Sequence, residues 1–466
     1  MHQYSQMDGF ADAVKLVTGN MSPRAHRMAN FERYVEGTQY AGRPDFFDRS
    51  VPLWYRAPCV VYPLVANAIS SNTDLVIGET RWPRLTSRPS EDDGFFDETG
   101  LNENESAILD KFVYEVQRQC RFHAAMREAF TAAQGCGSAG LIFGVREGHL
   151  FVDSVKARWC EPEFAADGAV KRLVIEYPYY ATFKERNTWK VVPKMYRREI
   201  DDTKDVTFRS ENISSSGCAP MWEVESSVEH GMGFCPVVWY QFMSGCSVVD
   251  NHDGHPIHEF LLDEITALDF ALSMKHRAAL YAGDPQWTEV GVEPGYVPTQ
   301  PGELVSVPST SKGGPISGDN RPTGEYRAQV SQKQGRRKGP GEVWQYESPD
   351  VKVQLHSLPG DALTSLENHC MDLRMKLAES LSAVFLDADS IRMRASGLSG
   401  KALEVVRARQ IDRCEQYRDD CGSKLLLPSM HMLLRICHTM GMRGQLRIAG
   451  INTVLQLLGR SYVESA

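Results

Sequence analysis

The chain has 466 residues, a formal charge of −9 and 42% hydrophobic content. That length supports two or three cores, and the composition is that of an ordinary globular protein. The negative balance argues against a protein that grips DNA along its phosphates, which needs clustered cations. No apolar run reaches the roughly eighteen residues of a membrane span, so no contact with a membrane is expected.

The N-terminus MHQYSQMDGFADAVK lacks a basic start followed by an apolar core, so no signal peptide is expected. Phe10, Val14, Leu16 and Val17 fit a short amphipathic helix. After it comes Arg33-Tyr34-Val35-Glu36-Gly37-Thr38-Gln39-Tyr40, and then an irregular piece rich in proline and aromatic residues runs to Pro58. Residues 60–69 are apolar and lead to Leu75-Val76-Ile77-Gly78, read as a strand or the end of a helix. Asp92, Asp93, Asp97 and Glu98 mark a solvated acidic loop. From 105 to 133 the stripe Ile108, Phe112, Val116, Phe122, Met126 and Phe130 predicts a helix.

Residues 135–140, Gly-Cys-Gly-Ser-Ala-Gly, match GxGxxG literally. A dinucleotide fingerprint needs a strand before it and a helix after it, so that the helix N-terminus meets the pyrophosphate. Here a helix precedes and the strand-like Leu141-Ile142-Phe143-Gly144-Val145 follows, so the glycines are read as a tight passage from helix to sheet. Residues 141–242 are strand-rich, with β-branched and aromatic runs between turn signals such as Asp167-Gly168.

The segment NHDGHPIHEF brings His252, Asp253, His255 and His258 together. These are metal-ligand types, but the spacing fits no structural zinc pattern, and a surface turn is the expectation. A long helix is predicted over 257–283, from Ile257, Leu261, Ile265, Leu268, Leu272 and Ala279, with Gly283 as its stop. At 1.5 Å per residue it would be about 40 Å long. A second long helix is predicted over 361–385, from Leu363, Leu366, Cys370, Leu373, Leu377, Leu381 and Val384.

Between them, residues 284–360 are rich in proline and glycine, with short strands expected at 304–307, 343–346 and 351–355. This piece carries a basic run without acids: Arg327, Lys333, Arg336, Arg337 and Lys338. It is either a solvated loop or a contact surface for an acidic partner or DNA phosphates.

After 385 the helical period breaks at Asp387, Asp389, Ser390, Arg392, Arg394, Ser396 and Gly397. It resumes with Ser399 as the expected N-cap, and with Leu403, Val406, Cys414, Tyr417 and Cys421 on one face. Pro428 is expected to kink or restart that helix, and 445–458 reads as a modest final helix.

No Walker A motif, GxSxG or HExxH occurs, and no carboxylate pair is set by spacing. Asp387 and Asp389 are read as an exposed acidic loop rather than a Mg²⁺ site. No catalysis, cofactor or metal is expected. Eleven scattered cysteines without a CxxC are expected to be reduced and buried, which fits synthesis in the cytoplasm.

Several features, taken in order, carry a resemblance. Tyr34-Val35-Glu36-Gly37 followed by Tyr40 comes first. Gly137-Ser138-Ala139-Gly140-Leu141-Ile142 follows, then Gly148-His149-Leu150 and Cys160-Glu161-Pro162. Gly233-Phe234, Pro236-Val237-Val238 and Ser399-Gly400-Lys401-Ala402-Leu403 complete the series. On these residues, and on the sequence helix–insert–helix–loop–helix, the chain resembles the portal (head-to-tail connector) proteins of tailed bacteriophages.

The resemblance implies an α+β portal fold. Residues 1–254 would form a strand-rich wing, 255–283 and 361–385 two stem helices, and 284–360 a small α/β clip. Residues 386–400 would be a tunnel loop, 401–440 a long helix of the wing leading to the crown, and 441–466 a short C-terminal crown. It implies a homo-oligomeric ring, twelve-fold in the virion, at the unique portal vertex of the capsid and assembled in the host cytoplasm. The ring would work with the terminase large subunit, head–tail adaptor proteins, and the major capsid and scaffolding proteins. Double-stranded DNA would pass through its channel. Tunnel-loop contacts would come from Asp387, Asp389, Ser390, Arg392 and Arg394. The clip patch would be Arg327, Lys333, Arg336, Arg337 and Lys338. Two other classes are weighed: a tail or collar ring without a DNA channel, and a nucleotide-binding enzyme resting on GxGxxG and the Asp pair.

Overall fold

A computed structural model describes residues 22–78 except 49, and 103–243 except 186–187 and 211–221. It also describes 252–283, 286–290, 297–300, 303–305, 352–356, 360–381 and 400–448, together with 451 and 454. The chain mixes helices and antiparallel strands, an α+β protein. It divides into two compact units, Leu268–Asp372 and the remainder.

The larger unit begins with α1, Pro23–Glu36. Ser22 caps it by accepting a hydrogen bond from Ala25 N, and Pro23 supplies a preset φ at the start. The sequence reading names no helix here, because its apolar stripe is diluted by arginines. Next comes α2, Leu64–Val76, so the apolar run beginning at 60 leads into a helix rather than a strand.

The single helix expected over 105–133 is two: α3, Glu103–Gln119, and α4, Phe122–Cys136. They break at Arg121, whose φ of 52° lies in the left-handed region. The cause is phase. Val116 and Phe122 are both buried, yet the six-residue gap would turn Phe122 about 120° away from Val116 on one continuous helix. The break returns both to the core.

The passage from α4 into the sheet is as expected, with Gly137 at φ 92° between Cys136 and β1, Ser138–Arg146. β1 lies between β2, His149–Lys156, and β8, Val237–Gln241, both antiparallel. The period of two sends alternate side chains to opposite faces. Leu141, Phe143, Leu150, Val238 and Tyr240 join the main core with α3 and α4. Ile142 and Val237 join a second core with Cys160, Leu173, Ile175 and Ile200.

That second core is shared with a five-stranded antiparallel sheet. In chain order its strands are β3, Cys160–Phe164; β4, Val170–Glu185; β5, Thr188–Ile200; β6, Lys204–Ser210; and β7, Trp222–Glu229.

The C-terminal part of this unit holds α7, Gly400–Cys421, followed by the π-helical turn Gly422–Leu426 and α8, Leu427–Met442. Pro428 sits in the first turn of α8, so the restart expected there occurs, eased by the π turn. Cys414, Tyr417, Cys421, Leu425, Leu433 and Ile436 are buried in the main core. Residues 445–448 are not helical, with Leu446 and Ile448 in the same core, whereas Ile451 and Val454 are helical, so the expected final helix begins after 448. Eight of the nine described cysteines are buried and Cys59 is exposed. Burial pushes the Cys136 and Cys160 thiols up to about 12.

Candidate functional site

Two segments carry the functional expectations, and the described elements deliver each of them. Helix α5 is Leu262–Gly283, preceded by the 3-10 turn Glu259–Leu261. It therefore starts five residues later than expected and is about 33 Å long from its 22 residues. Helix α6, Gly360–Ser380, carries its stripe as predicted: Cys370, Leu377 and Leu381 are buried, and Leu363, Leu366 and Leu373 half-buried.

Within the smaller unit, Lys275 Nζ lies 2.7 Å from Glu367 Oε1 and ties α5 to α6. Strand β9, Gln286–Val290, follows α5, and β12, Lys352–His356, precedes α6. They pair antiparallel from Gln286 opposite His356 to Val290 opposite Lys352. A second pair joins β10, Val297–Gln300, to β11, Glu303–Val305. The strand expected at 304–307 is thus β11, and that at 351–355 is β12. Strand β9 was missed, because QWTEV shows too short an alternation to stand out beside the prolines.

The strand expected at 343–346 lies outside the described residues, as do Arg327, Lys333, Arg336, Arg337 and Lys338. Asp387, Asp389, Ser390, Arg392 and Arg394 also lie outside them, in the segment between Leu381 and Gly400. The structure thus gives the frames around both candidate sites and assigns no positions to their side chains.

The start of α5 shows what the sequence missed. Residues 252–258 are not a surface turn: Asp253 and His258 are buried, and each side chain meets a different element. His252 stacks on Phe164 with ring centroids 4.3 Å apart, and its carbonyl accepts the Trp239 Nε1–H at 2.8 Å. Asp253 takes a two-point ion pair from Arg24 of α1, with Nε to Oδ2 at 2.5 Å and Nη2 to Oδ1 at 2.8 Å. Arg24 also donates to the Cys160 carbonyl and lies over the Trp239 ring.

Gly254 N donates to Ser138 Oγ at 3.1 Å, His255 N to the Phe242 carbonyl at 2.8 Å, and Ile257 N to the Gln134 carbonyl at 3.0 Å. Gly137 and Gly254 cross so closely that a Cβ on Gly137 would overlap the Gly254 carbonyl oxygen. The GxGxxG glycine therefore serves a backbone crossing rather than a cradle for phosphate.

His258 donates Nε2–H to the Phe31 carbonyl at 3.1 Å, while its Nδ1 is buried without a hydrogen-bond partner. Burial drives its pKa down to about 4, against the weaker raising effect of that hydrogen bond. It is a neutral core imidazole. The ligand-type side chains of this stretch are dispersed among separate partners, and no metal-holding cluster occurs among the described residues. What the stretch does is fix the first turn of α5 to α1, α4, β3 and β8 at once.

No family model matches the chain, and no curated protein matches it.

Proposed function

We propose that the chain is a portal subunit: a ring-forming protein at one capsid vertex, through which terminase packages double-stranded DNA and through which the DNA later leaves. In this reading it is a conduit and a docking platform for head–tail adaptors, without catalysis of its own.

The observation that carries the proposal is the path of the chain through the smaller unit. Helix α5 leads out, β9 and β12 pair at the base of an insert, and α6 leads back. After Leu381 the chain runs through the charged residues 382–399 and into α7. A stem, a clip and a loop over a channel require this order. Supporting it are the ordered sequence resemblances and the anchoring of the first turn of α5 by residues 252–258. That anchoring gives a load-carrying helix a fixed root. An acidic protein also suits a conduit, since strong neutralisation of phosphates would brake sliding DNA.

Mass measurement of the purified chain with end-on electron microscopy tests the proposal. Rings with an axial hole are expected. Compact particles, or rings without a hole, would overturn it, the latter in favour of a tail or collar ring. Deleting 389–397 is expected to leave ring assembly intact and impair DNA packaging. Loss of the rings would reject the tunnel-loop assignment.

A further inference from the structure

The stretch from Cys421 to Ile448 contains no Asp or Glu, in a chain whose acids outnumber its Lys and Arg by nine. Its cations are Lys424, Arg435, Arg443 and Arg447, accompanied by His431 and His438. The fold leaves all six exposed on the larger unit. Helix α8 turns Leu433, Ile436, Cys437 and Met440 into the core, and leaves His431, Arg435, His438 and Met442 as an exposed stripe at helical spacing.

Arg443 and Arg447 follow on the exposed segment after it. Arg447 N donates to the Gly148 carbonyl at 2.9 Å, which brings in the β1–β2 turn. Gln119 Nε2 lies 2.8 Å from His149 Nδ1 and 3.5 Å from the Arg447 carbonyl, which brings in the end of α3.

Among the described residues, Arg435, Arg443 and Arg447 have no carboxylate within ion-pair distance, whereas Lys424 is paired with Asp420. Each side chain is nonetheless held. The Arg435 guanidinium lies over the Phe234 ring at 3.9 Å, the Arg443 guanidinium packs against Gly231, and the Arg447 stem passes beside Gly148. Among the described residues no acid takes the N–H donors of any of the three guanidinium groups.

We infer that the exposed face of α8 and the segment to Ile448 form a surface that binds the phosphate backbone of double-stranded nucleic acid without reading its bases. Arginine forks match phosphate oxygens, and the surrounding imidazoles add further donors. An acidic protein partner fits less well. Protein interfaces lean on buried aromatic anchors, and no Phe, Tyr or Trp occurs from Leu427 to Ile448. The surface is made of residues other than 382–399 and 327–338, and binding there requires no ring.

The test is fluorescence anisotropy of the full-length chain with labelled duplexes of about 30 base pairs in two unrelated sequences, titrated across salt. Equal affinity for both sequences and a steep loss with salt are expected. The triple variant R435A/R443A/R447A should lower the log–log salt slope by about three and weaken binding at least about tenfold at low salt. The triple lysine variant should keep most of the slope. R443A alone, outside α8, should lower the slope by about one, which guards against a triple variant that fails to fold.

An unchanged slope in the folded variants would overturn the inference. So would a wild-type chain that binds no duplex, or one that binds polyglutamate in its place. End-on images of the same variants report ring formation separately, so failure of duplex binding and failure of the portal proposal are distinguishable.

Discussion

The five-stranded sheet and the α8 face are both rich in arginine, and they treat it in opposite ways. In the sheet, Arg172 and Arg197 converge on Glu199, Arg197 also reaches Glu176, and Arg198 forms a two-point pair with Asp205. Burial alone would raise the Glu199 carboxyl, but hydrogen bonds from both arginines outweigh it and hold the pKa below its ordinary value. On α8 and the segment after it, Arg435, Arg443 and Arg447 meet no acid among the described residues. An arginine that is answered holds strands in register. One that is supported but unanswered has its charge left over for something outside the chain. Net charge, summed over the chain, hides this difference.

The comparison can be broken most forcefully at Arg24. Asp253→Ala would remove the buried carboxylate, 1% exposed, and turn the half-buried Arg24 from an answered arginine into an unanswered one. Breaking a buried pair from one side costs about 3–5 kcal/mol, read as a lower urea midpoint. A midpoint within error of wild type would show that the clasp at the root of α5 is not structural.

His258 gives a third treatment of a cation, exclusion from the fold. Its folded pKa of about 4 lies below the ordinary 6.5, so the unfolded chain takes up the proton first as pH falls. Its contribution to stability is full above about pH 6.5 and is lost between 6.5 and 4, amounting to about 3 kcal/mol. Below pH 4 the loss stops growing. Relative to His258→Gln, the wild type should therefore lose stability more steeply across that window. Parallel curves would contradict the assignment.

The smallest effects separate the two arginine sets. Glu199→Gln, at a half-buried position, should cost about 1–2 kcal/mol. Truncating Arg443 to Ala should change stability by less than about 0.5 kcal/mol. Equal costs at both positions would erase the distinction between holding and presenting.

How far the fold could be read from sequence follows from the range of the forces involved. The passage at Gly137 and the stripes of α5 and α6 are legible because their signals lie within one or two turns. The break at Arg121 is present in the pattern as a six-residue gap, visible once phase is counted rather than apolar residues. Helix α1 is signalled by Ser22 and Pro23, a cap pair obscured by the surrounding polar residues. The buried stretch 252–258 is not legible: its polar residues look like a solvent-facing turn until Arg24, 229 positions away, arrives to pair with Asp253.

For function, the charged loop and the basic run are easily noticed as composition, but the partners they would meet lie outside the chain. The acid-free tail is just as plain in composition. It escapes notice when only apolar periodicity is followed.

The pairing of β9 with β12 carries one more consequence. Val290 and Lys352 face each other, so everything from 291 to 351 leaves and rejoins the scaffold at a single doorway. Lengthening such a segment costs only slowly growing closure entropy, about 0.6 kcal/mol per doubling. Its content can therefore be exchanged wholesale while the helices on either side keep their rise and spacing. A lineage built on this plan could retool what it docks to without redesigning the supports beneath.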